Sequence, residues 1–139
     1  STGIYTTFFA IFFDLKKGTL ECAGAAHPPV IHCKSDCGEV ELLSSKTSFL
    51  GMQNPLLTGC VAHRRKLASG DRVILYTDGL TEARDSDSRF FGTEGIVRFA
   101  KHFRTLGGAD FNTALIDEVF SINNGKVSDD ILVMTITIK

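Results

Sequence analysis

The sequence has neither a long apolar run nor an excess of charge of one sign. Its 139 residues carry a formal net charge of −1, so electrostatics give no reason to expect a nucleic-acid or an anionic-membrane partner. The longest strongly apolar segment, Phe8–Phe13, is far shorter than the roughly 20 residues of a membrane-spanning helix. A secretory signal pattern is also missing. We therefore expect one cytoplasmic globular domain, while a membrane anchor upstream of Ser1 would remain compatible with the sequence.

The cysteines do not form a disulfide framework. Cysteine occurs at positions 22, 33, 37 and 60, and this spacing favours reduced thiols in a cytosolic compartment. Cys33 and Cys37 flank a polar turn, with His32 adjacent and His27 upstream, so a zinc site is one interpretation. The paired C-x-x-C spacing of zinc modules is missing, which favours the alternative that both cysteines are small apolar residues of a strand and a turn.

Apolar patterns predict a series of short strands. The strongest candidate is Thr6–Leu15, which is apolar at even and odd positions alike and is therefore expected to be covered on both faces. A turn at Lys16–Gly18 predicts a hairpin with the next strand. The other predicted segments are strands at Thr19–Cys22, Val30–Cys33, Glu39–Leu43, Val61–Leu67, Arg72–Thr77 and Ile131–Ile138, and loops at Ser44–Gly59 and Arg84–Arg89.

Helices are predicted only in the second half of the chain. Thr93 is expected to cap a helix that runs to Phe103, and Asp110 a helix that ends before Asn123. The order is many antiparallel strands, two helices and a last strand. Strands that are buried on both faces need two covering layers, which predicts an α+β fold with sheet packed on sheet and helices outside.

Asp78 stands directly after a buried strand and before Gly79. A carboxylate at the end of a rigid strand loses little entropy when it is positioned, and carboxylates are the hard oxygen ligands that magnesium and manganese prefer. The alternative is an ordinary Asp-Gly turn in which the aspartate bonds its own backbone.

A second acidic pair, Asp129-Asp130, directly precedes the last apolar run. Adjacent carboxylates repel each other unless water or a cation neutralises them. Side chains of neighbouring residues in a strand point to opposite faces, so one of the two is expected to be a direct ligand. A solvated acidic turn is the alternative.

Taken together, these segments resemble a known family. The piece GDRVILYTDGLTEARDSDSRFFG closely resembles a signature of bacterial stage II sporulation protein E-like serine/threonine phosphatases, a branch of the protein phosphatase 2C superfamily. Four further segments are similar to parts of that family, namely Thr7–Asp14 with Lys17-Gly18, Ala25–Pro29, Leu50–Met52 and Ser128–Ile131.

The resemblance implies an αββα sandwich with a binuclear manganese or magnesium centre at one edge. Asp78 and Asp129 would be metal ligands, with Gly79, Asp130 and His27 in supporting positions. A metal-activated water, and no protein nucleophile, would hydrolyse phosphoserine or phosphothreonine. The implied substrate is a phosphorylated regulator of the anti-anti-sigma type, and an upstream sensor domain would often precede the phosphatase.

The chain also departs from the family pattern. The family's first metal-binding motif, an aspartate-glycine on an early strand, has no counterpart because Thr2–Phe13 contains no carboxylate. Ala26 stands where the family usually has glycine, and Leu132 where it usually has threonine or serine. We therefore expect an N-terminally truncated domain of weak or no activity, with exposed sheet surface that favours self-association, including a homodimer. The alternative function is a catalytically impaired binding or regulatory module.

Three weaker candidates have local structural explanations. His27 would orient a loop near the site, or simply bond a backbone carbonyl. Glu82 would lie near Asp78 if a helical turn follows Gly79, and otherwise pair with Arg84. The run His63–Lys66 would attract a phosphorylated substrate, or form a solvated strand face.

Overall fold

The computed structural model describes residues 5–45, 47–50, 62–126 and 129–139. The chain divides into two compact units, Ser1–Pro29 with Leu43–Ala68 and Val30–Leu42 with Ser69–Lys139. Most of the predicted Ser44–Gly59 loop, together with Gly51 and Met52 of the family match, Cys60, Val61 and Ser128, lies outside the described residues.

Two antiparallel sheets and three helices make up the described part of the chain. The strands are β1 (Phe8–Asp14), β2 (Thr19–Ala25), β3 (Val30–Cys33), β4 (Val40–Leu43), β5 (His63–Lys66), β6 (Arg72–Tyr76) and β7 (Val133–Thr137), and the helices are α1 (Asp78–Thr81), α2 (Gly92–His102) and α3 (Gly108–Ile122). The predicted α+β class with two antiparallel sheets and helices is confirmed.

The first unit contains a three-stranded sheet of order β1-β2-β5. β1 and β2 form the predicted hairpin, with pairs running from Asp14 opposite Thr19 to Phe8 opposite Ala25. The turn between them needs Gly18, whose φ of 59° lies in the left-handed region. The Asp14 carboxylate accepts the Lys17 N–H at 3.0 Å and fixes the start of this turn.

The prediction that β1 is covered on both faces is wrong for the described chain. Phe8 is 53% exposed and Phe12 64% exposed, and Leu15 beyond the strand end is 75% exposed. The odd positions, which include Phe9 and Ile11, are partly buried. Apolar residues on both faces of a strand do not by themselves provide a second covering layer, so one apolar face of β1 is exposed. In the described sheet β1 is also an edge strand with one unpaired side.

The second unit contains a four-stranded sheet of order β4-β3-β6-β7. Its interior strand β6 is almost entirely buried, as its continuous apolar run predicts. Ile74 and Tyr76 join a core cluster to which α2 contributes Ile96 and Phe99, and α3 contributes Phe111. This core holds β6 rigidly, and with it the residues that follow Tyr76.

Both helices begin earlier than predicted. α2 starts at Gly92 and α3 at Gly108, so neither Thr93 nor Asp110 is the capping residue. The Thr93 hydroxyl instead lies 3.2 Å from the Tyr76 hydroxyl, and burial raises the pKa of Tyr76. Asp110 lies in the first turn of α3, where its negative charge interacts favourably with the helix dipole.

The last strand, β7, buries one face against the core of its unit, and Met134 lies on its other, more exposed face. Val133 lies against the core cluster, and the Thr135 hydroxyl donates to the Asn112 side-chain oxygen at 2.5 Å on α3. Leu132 and Met134 point the other way and are 54% and 50% exposed. Among the helices described, none is long and apolar enough to cross a membrane.

Candidate metal centre

Asp78 lies at the junction between the buried strand β6 and the short helix α1. Thr77 keeps the extended backbone of the strand, with ψ of 162°, and Asp78 is the first residue of the helix. The Asp78 carboxylate is exposed and accepts the N–H of Gly79 at 3.1 Å. The predicted turn after Gly79 is therefore present, and it brings the backbone N–H of Glu82 to the Asp78 carbonyl at 2.9 Å. The junction presents a carboxylate to solvent on a rigid support.

Thr77 joins this junction to the second acidic segment. Its N–H donates to the Leu132 carbonyl at 3.1 Å. Its hydroxyl donates to the Asp130 carbonyl at 2.8 Å and accepts the Leu132 N–H at 2.9 Å. Sequence reasoning missed Thr77, although a hydroxyl residue between a buried strand and an Asp-Gly pair was visible. These bonds extend the pairing of β6 with β7 and place Asp78 beside the acidic pair.

Gly79 permits the closest approach between the two segments. A Cβ at this position would lie 2.6 Å from the Asp130 carbonyl oxygen and 3.1 Å from that of Asp129. Both distances are shorter than ordinary contacts, and the obstructing atoms are backbone, so a side chain would push the acidic segment away. The glycine is therefore required by packing against Asp129 and Asp130, and not by an unusual φ.

Asp129 and Asp130 complete an exposed acidic surface. Both side chains are exposed, and the Asp129 carboxylate accepts the N–H of Asp130 at 2.7 Å. None of the ion pairs formed among the described residues includes Asp78, Asp129 or Asp130. Exposed carboxylates outside these ion pairs are individually of the type that binds a hard cation. Within the described ranges, groups of three or more His, Cys, Asp or Glu residues placed to hold a metal are not found.

His27 belongs to the first unit and has local partners there. Its Nδ1 lies 2.9 Å from the Pro28 carbonyl oxygen, and its ring packs at 5.6 Å from the Phe9 ring. The Ser45 hydroxyl donates to its backbone carbonyl at 3.3 Å. These contacts fit the structural explanation for His27, and a supporting role at a metal centre stays a prediction.

Ala26 adopts a backbone conformation that favours glycine. Its φ is 48°, in the left-handed region, and its N–H donates to the Thr47 carbonyl at 2.8 Å. A left-handed conformation costs a residue with a Cβ about 1–2 kcal/mol. The turn at Ala26 therefore holds a strained residue.

The arrangement does not favour the zinc interpretation. Burial raises the pKa of the Cys33 thiol to about 11, which disfavours the thiolate that a zinc ligand needs. His32 is buried with its Nε2 3.0 Å from the Asp71 carboxylate, and the other Asp71 oxygen accepts the Ser35 N–H at 2.9 Å. The sequence alone gave no sign of this buried pair.

The basic run His63–Lys66 forms β5, and its side chains alternate between partly buried and exposed. Arg64 pairs with Glu21 of the neighbouring strand at 2.7 Å. The pair satisfies Arg64 within its own sheet, in agreement with the interpretation of a solvated strand face.

Comparison with solved structures defines the class of fold. The phosphatase domain of SpoIIE from Bacillus subtilis, presoaked with manganese, superimposes with a TM-score of 0.75 at 19% identity and covers 96% of this chain and 56% of that one. The catalytic domain of the serine/threonine phosphatase PstP, in complex with two manganese ions, gives a TM-score of 0.62 at 20% identity, over 99% of this chain and 60% of that one. The fold is that of these phosphatase domains, and the chain spans somewhat more than half of their length.

The chain belongs to the stage II sporulation protein E (SpoIIE) family, whose model matches residues 1–139. Among curated proteins, Protein IcfG of Synechocystis sp. is 30% identical over 94 residues, which are 68% of this chain and 14% of that protein.

Proposed function

We propose that the chain forms part of a metal-dependent protein phosphatase in which Asp78 and Asp129 bind manganese or magnesium. The observation that carries this proposal is the contact between the Thr77–Gly79 junction and the Asp129–Leu132 segment, made by the Thr77 hydroxyl and the bare Gly79 backbone. This contact supports the proposal because it brings the backbone that follows the buried strand β6 against the backbone of the acidic segment. The phosphatase folds that the chain resembles include one in complex with manganese.

Each residue of this site has a defined task in the proposal. Asp78 and Asp129 offer the ligand oxygens, while Thr77 and Gly79 hold the two backbones at the separation that lets both ligands act together. Asp130 supports the site through its carbonyl, which accepts the Thr77 hydroxyl. Bound metal would supply an activated water and neutralise charge on the phosphoryl oxygens. No serine or cysteine of the chain is assigned as a nucleophile.

The proposed substrate is a phosphoserine or phosphothreonine in a regulatory protein of the anti-anti-sigma type. Support comes from the family resemblance of the segment around Asp78, and from membership of the SpoIIE family. The chain itself fits this class because its site is exposed and lies on the surface, where a protein substrate has access.

The proposal is tested by exchanging single carboxylates in the full-length protein. Asp78→Asn and Asp129→Asn keep the side-chain shape and remove the charge, so each is expected to lower manganese-dependent phosphate release from a phosphorylated anti-anti-sigma-type protein by at least about 100-fold. Asp117→Asn, an exposed aspartate on α3, is the matched control and should retain activity. Full activity of Asp78→Asn would refute the assignment.

A second candidate function is a binding or regulatory module that keeps the fold without catalysis. The strained Ala26 and the exposed Leu132, both at positions where the family pattern differs, favour it. This module would bind manganese weakly even in the full-length protein. Calorimetry that detects two tight metal sites there would exclude it, and would leave the phosphatase proposal in place.

A further inference from the structure

A cleft lies in the second unit, at the opposite end of β6 from Asp78. It has a volume of about 630 Å³, within the usual range for small-molecule sites. Arg72, which lines it, is the first residue of β6, and Asp78 lies six positions further along the chain. At about 3.3 Å per residue, the two residues are roughly 20 Å apart. A ligand in this cleft is therefore distinct from a group bound at the candidate metal centre.

The lining of the cleft is basic. Its charged residues are Lys34, Arg72, Lys101 and Arg104, and no acidic residue is among those that line it. These cations come from separate elements: Arg72 from β6, Lys101 from the last turn of α2, and Lys34 from the residue after β3. A basic residue at the end of a helix can be explained by the helix dipole. That explanation does not extend to Arg72, which lies on a strand.

Arg72 carries the strongest argument for an anion. It is only 8% exposed, and burial lowers the pKa of its guanidinium. Its Nη2 donates to the backbone carbonyls of Arg104 and Leu106, and the group lies 4.6 Å from the centre of the Phe111 ring. Within the described residues, no carboxylate lies within ion-pair distance of it. A buried cation stabilised only by neutral groups favours an anion nearby.

The other cations also reach the cleft. The Arg104 guanidinium lies 3.7 Å from where a Cβ of Gly38 would stand, across the cleft from α2. Burial dominates the raised pKa of the Cys33 thiol; the charges of Arg72 and Lys101 lower it, and the charge of Asp71 raises it. Lys34 is the exception, since it pairs with Glu39 at 2.7 Å. Val40 and Ala100 supply apolar lining beside these charges.

We propose that this cleft binds a small organic anion that carries two or more phosphate or carboxylate groups. Several convergent cations with apolar lining suit a compact, multiply charged ligand better than an extended chain. The site is independent of the phosphatase chemistry, because none of its residues belongs to the candidate metal centre.

The test is calorimetric titration of the metal-free full-length protein with pyrophosphate and, separately, with citrate. Pyrophosphate represents phosphate ligands and citrate carboxylate ligands, so the stronger of the two identifies the source of the anion. Lys101→Ala and Arg104→Ala are each expected to weaken binding about tenfold, because each removes a charge-assisted contact. Arg98→Ala removes an exposed cation from the same helix but outside the cleft, and should change affinity less than about twofold.

Three results would overturn the proposal. One is the absence of binding heat with both probes up to about 5 mM. Another is a loss of affinity in Arg98→Ala equal to that in the cleft variants, which would indicate unspecific attraction. The third is loss of binding in Asp78→Asn, which would place the anion at the metal centre. Circular dichroism and the thermal midpoint of each variant verify that it is folded, and Arg72 is left intact because its burial makes it a structural residue as well.

Discussion

At the scale of single residues, the contact of Gly79 with the acidic segment can be tested most directly. We predict that Gly79→Ala destabilises the protein by about 1–3 kcal/mol, because the new Cβ would meet the Asp130 carbonyl oxygen at 2.6 Å. The displaced segment would also lower manganese affinity. Chemical denaturation measures the first effect and calorimetry the second.

Gly108→Ala is the matched control for that variant. Gly108 lies in the first turn of α3, and a Cβ there would find its nearest neighbour at 3.7 Å, an ordinary contact. Alanine favours helix, so this change should be neutral or stabilise by up to about 1 kcal/mol. Equal effects of the two substitutions would show that the approach of Gly79 to Asp130 is not as close as described.

Ala26 yields a prediction of opposite sign. Ala26→Gly is expected to stabilise the protein by about 0.5–1 kcal/mol, because relief of the left-handed strain exceeds the extra entropy lost by glycine. Ala23→Gly, on the regular strand β2, should instead destabilise by a similar amount. Denaturant midpoints of both variants check the pair. A destabilised Ala26→Gly would mean that its side chain contributes more by packing than it costs in strain.

At the scale of elements, β1 has an exposed apolar face and, in the part of the chain that the structure describes, an unpaired edge, which predicts self-association. We expect residues 1–139 to form dimers or larger species through this strand, and Phe12→Gln to reduce them, since Phe12 is 64% exposed. Sedimentation over a range of concentrations measures the effect.

Phe120→Gln serves as the comparison for β1. Phe120 is also exposed, at 36%, but lies on α3 in the other unit. Its replacement should leave the association unchanged. A monomer at all concentrations, or an equal effect of both variants, would contradict association through β1.

The sequence predicted the positions of the strands better than the burial of their faces or the contacts at the helix starts. β3 is reproduced without error, and β6 was recognised from a continuous apolar run between polar turns. Periodicity reports which side chains are apolar, but not whether another layer covers them, so it failed for the exposed face of β1. Helix starts were misplaced for a related reason: Thr93 bonds to Tyr76 instead of capping α2, and such a tertiary contact leaves no mark in local spacing.

The sequence pointed to the candidate carboxylates, whose role as metal ligands stays a prediction, but not to the contacts between the two segments that carry them. Asp78 was selected because it directly follows a buried strand, and the pair Asp129-Asp130 because it directly precedes an apolar run. The choice of Asp129 within that pair came from the family resemblance. The role of Thr77 depends on hydrogen bonds to residues more than 50 positions away, and the pairing of Asp71 with His32 spans 39 positions. Partners so distant in sequence become visible only when the register of the sheet is known.

At the scale of the whole molecule, the two units differ in how completely their strands are covered. In the second unit, both α2 and α3 contribute to the buried cluster that covers β6. In the first unit, β1 has an exposed face along its length. Local opening costs least where few apolar contacts are broken. The units are therefore expected to differ in the free energy of opening of their backbone hydrogen bonds.

Amide hydrogen exchange provides the measurement. We predict that the amides of Val73 and Ile74 exchange most slowly, near the rate set by global unfolding, and that those of β1 exchange much faster. β7 is the matched comparison, because it too is an edge strand in the described sheets but packs against α3 through Val133 and Thr135. Its hydrogen-bonded amides should therefore exchange more slowly than those of β1. Equal protection of the amides of β1 and β7 would show that the unpaired edge, and not the exposed face, governs local opening of the strand. Protection of the β1 amides equal to that of the β6 amides would mean that the apolar face of β1 is covered in solution.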